Sequence, residues 1–357
     1  MIIRFIFVAL LTLGSFHAPA QTVAPAGSKN AIKVKQNCSA VSVETCDIAH
    51  ALQRGINIGT SLEAPREGDW GVTIEQSYLD KSAELFSTVR LPVRWSNHAA
   101  PTADATLDEV FATRVDKIID SLLAKGLHVI LDVHHYNQLS GAQLHPNEFR
   151  VDPSVVEIRF VNIWNQLAKR YKNKSPKLLF EILNEPSGPL EGEVLNRLFS
   201  NSLKVIRASN PTRVVMIGPR ENRIQLMDKL KIPADKNLIL AFHLYDPHTF
   251  SHQGLEYLPQ FPLGPICCNA KAHGSIIDGM ELARKWNRKT GYPMHLGEFG
   301  SNDKADMKSR EIYTRMVRDE AESRGFGWTF WEFASGFGMY DTKTGQWIEP
   351  IRRALMD

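Results

Sequence analysis

The sequence has no block of like-charged residues. Its 357 residues carry a formal net charge of only +3, spread along the chain, which argues against a nucleic-acid-binding surface and against a polybasic membrane patch. Long hydrophobic runs are also missing. The apolar stretch near the start, Phe5 to Phe16, is too short to span a bilayer comfortably. No glycine-rich turn opens a helix after the first strand pattern, as a doubly wound nucleotide-binding sheet requires. No internal repeat or linker interrupts the chain. Cysteine is scarce: Cys38, Cys46, Cys267 and Cys268 are the four. They allow three pairings, and spacing alone does not choose among them. A Cys38–Cys46 bridge would close a small loop, leaving Cys267 and Cys268 to form a vicinal bridge or stay free. The two pairs lack the usual spacing of zinc ligands.

What is present begins with MIIRFIFVALLTLGSFHAPA, residues 1–20. Arg4 supplies a positive start, Phe5 to Phe16 an apolar stretch, and Ala18-Pro19-Ala20 an A-x-A cleavage site. This is the pattern of a secretory signal peptide cut near Ala20/Gln21, so a secreted or periplasmic protein is expected. Losing Arg4 takes the net charge from +3 to +2. No cysteine follows the apolar stretch, which argues against a lipoprotein. Residues 21–45 read as a tail, opening in Ala, Pro, Gly and Ser, and residues 46–357 as one catalytic domain.

From there the chain alternates. Short runs rich in Val, Ile, Leu and Phe occur at 55–59, 88–95, 128–135, 178–186, 214–220, 238–247, 292–300 and 327–335. Longer amphipathic segments separate them. In 108–126, Phe111, Val115, Ile118, Ile119, Leu122 and Leu123 recur at spacings of three and four. Similar patterns fall at 154–171, 192–208, 276–289 and 306–324. Eight strands, each followed by a helical segment, predict an α/β fold, a single-domain (β/α)8 TIM barrel.

In such a barrel the active site lies at the C-terminal mouth of the strands, and there the unusual residues collect. Strand two carries Arg90 and Arg94-Trp95. Strand three ends in His134-His135-Tyr136, strand four in Asn184-Glu185, and strand six in His243, Tyr245 and Asp246. Strand seven ends in Glu298 and strand eight in Trp331-Glu332. A lone carboxylate at a strand end is usually solvated or paired with a nearby arginine. The convergence carries the weight, since Glu185 and Glu298 stand 113 positions apart yet would meet in one mouth. Two facing carboxylates suit glycoside hydrolysis, in which one donates a proton and the other attacks. Asn184 is placed to reach a sugar 2-hydroxyl, Tyr245 to bond the nucleophile, Arg90 to hold Glu298 ionised, and Trp331 to stack on a sugar face.

The segments 54–71, 88–98, 129–137, 178–188, 242–247, 250–254, 295–300 and 328–341 resemble, in order, glycoside hydrolase family 5. Within it, GINIG…EAP…GDWG and WEFASGFGMYD are similar to a bacterial endo-β-1,4-glucanase subgroup, some members of which also cut β-mannan. The resemblance implies Glu185 as acid/base and Glu298 as nucleophile, with Arg90, His134, Asn184, His243, Tyr245 and Trp331 around them. It makes His135 and His252 substrate contacts, and Glu63 a contact to the sugar beyond the cleavage point. Thr60 departs from an expected Asn and Tyr257 from an expected Trp. The segments 138–153 and 261–271 are also unusual. The implied substrate is a polysaccharide, β-1,4-glucan or β-mannan. The chemistry requires no cofactor and no metal, and a monomer is expected. Two alternatives are a metal-assisted hydrolase built on Asp132, His134 and His135, and a non-catalytic glycan-binding barrel.

Overall fold

The computed structural model describes residues 32–357, so the signal peptide and the first part of the tail lie outside the described residues. Eight parallel strands close into a barrel in sequence order. They are β1 (Arg54–Asn57), β2 (Thr88–Val93), β3 (His128–Val133), β4 (Leu178–Glu181), β5 (Val215–Ile217), β6 (Leu238–His243), β7 (Met294–Glu298) and β8 (Gly327–Phe330). The expected (β/α)8 barrel is present. Several strands stop short of the predicted bounds; beyond β4 the backbone still donates from Ile182 to Met216 at 3.1 Å and from Asn184 to Val133 at 3.1 Å, which carries Asn184 and Glu185 up to the mouth.

Side chains alternate across a strand, and this sets the interior. Ile130, Leu179, Met216 and Ile239 form an apolar floor with Ala49 and Leu52. Two positions further along their strands stand Asp132, Glu181, Gly218 and Ala241. On β3 and β4 the interior therefore turns from hydrocarbon to charge within one step of the pleat, whereas Gly218 and Ala241 leave it small and uncharged. The outward positions meet the helices. The helix Val156–Tyr171 buries Phe160, Ile163, Trp164, Leu167 and Tyr171, each contributing roughly 1.5–3 kcal/mol of burial. The Trp164 indole donates to the Ile182 carbonyl at 2.9 Å, so this helix holds the chain just before Asn184.

Two expectations need correction. An α-helix was expected after every strand, but residues 220–237 between β5 and β6 hold only 3-10 turns, Arg220–Asn222 and Ile224–Lys229. Ile224, Met227 and Leu230 are buried, and their spacing of three matches a 3-10 turn rather than an α-helix. The tail also ends earlier than position 45. Gln36 is buried and bonds across to β7 and to the turn before β8, donating to the Met294 carbonyl at 2.8 Å and the Gly325 carbonyl at 3.1 Å. The helix Val43–Ala51 then starts at Ser42, whose hydroxyl caps the Thr45 N–H, and it closes the barrel floor. Its sequence, VETCDIAHA, has too weak an apolar period to announce a helix.

Cys38 and Cys46 are bridged, with Cα atoms 5.7 Å apart, and Cys267 and Cys268 form the adjacent pair. The Cys38–Cys46 bridge ties the docked segment to the floor helix. A loop this small constrains the unfolded chain by about 2.5 kcal/mol. Replacing Cys38 and Cys46 together by Ser should lower the melting temperature by a few degrees without changing the circular dichroism of the folded state. An unchanged melting temperature would count against a stabilising role for the bridge.

Candidate active site

One buried cation organises the mouth. Arg90 projects inward from β2 and is fully buried. A guanidinium has five N–H donors, and all five are engaged. Nε donates to Glu181 at 2.7 Å, and Nη1 donates to Asn57 at 3.0 Å and Glu298 at 2.8 Å. Nη2 donates to Glu181 at 3.1 Å and to the Asn184 side-chain oxygen at 2.6 Å. A third carboxylate, Asp132, lies 3.2 Å from Nη2. One positive charge thus faces Asp132, Glu181 and Glu298. Burial pushes Asp132 up to about 7 although Arg90 pulls it down.

Glu298, at the end of β7, accepts from Arg90 on one oxygen and from the Tyr245 hydroxyl at 2.9 Å on the other. The β6–β7 register slips between Phe242 and His243, which opposes His243 to Glu298. His243 Nδ1 lies 3.5 Å from Glu298 and 2.6 Å from Glu185. The nearest donor atoms of Glu185, His243 and Glu298 all fall within 4.8 Å of one another. Burial raises the Glu298 pKa to about 7, against the pull of His243 and Arg90, and the nearby Glu185 charge raises it further. Desolvation likewise lifts Glu185 to about 7, against Arg90, with Glu221 adding to the rise. Two carboxylates this close titrate as a pair. Their surroundings differ, since the Glu298 side chain is 6% exposed and that of Glu185 40%.

Asn184 joins this cluster to β3. Its amide nitrogen is 3.3 Å from His134 Nε2, and His134 Nδ1 is 3.1 Å from Asp132. The Trp331 ring stacks on His134, with centroids 5.4 Å apart and planes 9° off parallel. The row of rings continues outward through His135 and Trp70 to His145. On the other side Tyr245 meets His252 edge-on at 4.8 Å, and His252 stacks on His248. Arg90, His134, Asn184, Glu185, His243, Tyr245, Glu298 and Trp331 therefore share one cluster, with His135 and His252 on its two flanks.

Glu63 is held by the turn that follows β1. It is 1% exposed. Its carboxylate accepts from the Thr60 and Ser61 backbone N–H groups, and its carbonyl accepts from Arg94. The short Thr60–Glu63 turn folds the side chain back onto its own backbone. Thr60, with a φ of 60°, donates its hydroxyl to Glu332 at 2.6 Å, while Tyr257 stands 73% exposed on the rim. The long segment 138–153 is anchored by a buried pair, Arg94 to Glu148 at 2.7 Å. Asn147 adds bonds to Arg66 and Asp69. Residues 261–271 are pinned by Gln253, which bonds Gly264 and Pro265.

Asp132, His134 and His135 do not form a three-donor grouping. Among the described residues such groupings are Glu185–His243–Glu298 and Cys38–Cys46–His50. Sequence reasoning missed Glu181, Asn57 and Asn222. Glu181 had a signal, since a carboxylate at an inward position of the apolar run LLFEIL demands a buried partner. Asn222 had none, because it reaches the site from an irregular turn.

Comparison with known proteins agrees with this geometry. The family model described as Cellulase (glycosyl hydrolase family 5) matches residues 51–336. Endoglucanase H of Acetivibrio thermocellus is 33% identical over 82% of this chain, which spans 30% of that protein. Cellulase/esterase CelE of the same organism is 29% identical over 88% of this chain and 40% of its own length. The chain thus spans well under half of these relatives. Among solved structures, Cel5A of Thermotoga maritima is 38% identical with a TM-score of 0.81, covering 87% of this chain and 99% of that one. Its structures include complexes with mannotriose and cellobiose. A closed barrel with paired glutamates at its mouth, matched by the family model along most of its length, belongs to glycosyl hydrolase family 5.

Proposed function

We propose that the protein is a secreted, retaining, endo-acting hydrolase of β-1,4-linked glucans. The observation that carries this reading is the pair Glu185–Glu298. Retaining enzymes hold their carboxyls about 5–5.5 Å apart, whereas inverting enzymes need about 6.5–9.5 Å to admit a water. The nearest oxygens of this pair fall within 4.8 Å, which supports retention.

The roles follow from the surroundings. Glu298 is the nucleophile, kept ionised by Arg90 and oriented by Tyr245. It attacks the anomeric carbon as the bond from that carbon to the leaving oxygen breaks, and Glu185 gives that oxygen its proton. In the glycosyl-enzyme Glu298 is an ester and carries no charge, so the Glu185 pKa falls. Glu185 then takes a proton from water, the water oxygen bonds the anomeric carbon, and the bond to Glu298 breaks. Asn184, fixed by Arg90 and His134, contacts the sugar beside the reacting carbon. Trp331, His135 and His252 line the path of the chain. Glu63, ordered by the Thr60–Glu63 turn, bears on the sugar beyond the cleavage point.

A second reading, a dual glucanase and mannanase, is favoured by one finding: the Thermotoga relative has been solved with both cellobiose and mannotriose. The two polymers differ at the sugar 2-hydroxyl, and Thr60 and Tyr257, which depart from the expected residues, bear on the glucan/mannan balance from the non-reducing side of the cleft.

The mature protein should release reducing sugar from carboxymethylcellulose, barley β-glucan and glucomannan, and Glu298→Gln should lose at least about 10³-fold in kcat. Galactomannan in the same panel separates the two readings, and normal activity in Glu298→Gln would sink the assignment. Proton NMR of the first products should show the β-anomer, with an initial α-anomer excluding retention. Activity should fall as pH rises through about 7, where Glu185 loses the proton it must donate. It should fall again at low pH, as Glu298 becomes protonated. A pH–rate profile still rising at pH 9 would contradict the acid role of Glu185.

A further inference from the structure

We infer that Asn222 is a positioning residue that fixes the tautomer of His243, so that the imidazole presents an N–H to Glu185 and Glu298. The inference rests on the reading of those glutamates as the working pair.

Asn222 lies in the turn after β5 with a φ of 45°, in the left-handed region, and is fully buried. Its Nδ2 is 2.5 Å from the backbone carbonyl oxygen of Asn184. A carbonyl only accepts, so the amide must turn its NH2 toward it. The reversed amide would set two acceptors face to face. The same NH2 lies 3.2 Å from His243 Nε2. Nε2 is therefore the acceptor, and in the neutral ring the proton sits on Nδ1. That nitrogen is the one at 2.6 Å from Glu185 and 3.5 Å from Glu298.

The surrounding chain is shaped for this contact. At Gly218, just past β5, a Cβ would come 1.5 Å from the Asn222 side-chain oxygen. At Gly297 on β7, a Cβ would come 2.9 Å from His243 Nε2. Both inward positions are empty of side chains, and the Asn222–His243 pair occupies the space. Arg223, the next residue, bridges to the His243 backbone, which fixes the turn against β6. The Asn222 side-chain oxygen has no partner. The geometry thus keeps a left-handed asparagine and a buried unpaired oxygen in order to aim one NH2.

The consequence is for the proton of the pair. The charged and titratable groups facing His243 are Glu181, Glu185, Glu298, Arg90, His134 and His295. With Nε2 held as an acceptor, neutral His243 is only a donor to the two glutamates. It orders their oxygens and does not accept the proton that Glu185 delivers. Without Asn222 the ring is free to carry its proton on Nε2. Nδ1 then accepts from protonated Glu185 and withdraws that proton from the leaving group.

The test is 15N NMR of the full mature protein labelled at histidine, with the His243 ring signals assigned by their loss in His243→Asn. Between pH 5.5 and 8 the expected pattern is a protonated Nδ1 and an unprotonated Nε2, and a protonated Nε2 would overturn the inference. In Asn222→Ala the ring should show both tautomers. The kcat should fall about tenfold with KM within about twofold, and the acid limb of the pH–rate profile should move up by about half a unit, because the carboxylates lose a donor. Slower turnover with an unchanged tautomer and unchanged profile would mean a merely structural role and would also overturn it. If Asn222→Ala does not fold, the wild-type spectrum decides alone. The spectrum needs no substrate, so a protein silent on every polymer would sink the glycosidase reading without touching the tautomer assignment.

Discussion

The mouth of this barrel depends on the charge of Arg90. Asp132, Glu181 and Glu298 are three carboxylates in one low-dielectric space, and their mutual repulsion would keep them from sharing it ionised. The guanidinium lies among them with all five donors engaged. Removing one partner of such a buried set typically costs about 3–5 kcal/mol, because charge is left uncompensated. Arginine suits the position and lysine would not, since only a planar fork reaches Glu181 on two atoms while holding Glu298 and Asn184 on others. The same group therefore bears on folding and on the ionisation of Glu298.

Around that cation the site is arranged in depth. Glu298 lies deep, between Arg90 and Tyr245, where a negative charge is supported. Glu185 stands at the opening, more exposed and with weaker compensation. His243 spans the two, and its role depends on which ring nitrogen carries the proton. Both carboxylates are lifted toward neutrality by desolvation. A pair that shares one proton near neutral pH has the ionisation state that the proposed double displacement requires. Aromatic side chains supply the precision: the Trp164 indole donates to the Ile182 carbonyl, and Trp331 lies flat on His134.

Much of the fold was legible because strand and helix have different apolar periods. Runs such as HVILDVHH and the three-and-four spacing of Phe111 to Leu123 each admit one reading. The exceptions share a physical cause. Ile224, Met227 and Leu230 recur at three, a spacing common to a 3-10 turn and to part of an α-helix, and the α-helical reading failed. The helix Val43–Ala51 buries a floor made by other strands, so its own period is faint. Glu63 carries a motif resemblance, but whether its carboxylate faces the cleft depends on the Thr60–Glu63 turn, whose backbone no motif specifies.

The sequence by itself determined the alternation of strands and helices and the placement of Glu185 and Glu298 at strand ends, because pleat and helical period are local properties of the chain. It also carried the family resemblance, through motifs that are contiguous. The tertiary structure decided which groups meet across the barrel. Arg90 to Glu181 spans 91 positions, His243 to Glu185 spans 58, and Asn222 to His243 spans 21. Those contacts depend on barrel closure, on the slip between β6 and β7, and on space left by Gly218 and Gly297. Proton positions and pKa values follow from such contacts, since electrostatics acts through space and is indifferent to chain order.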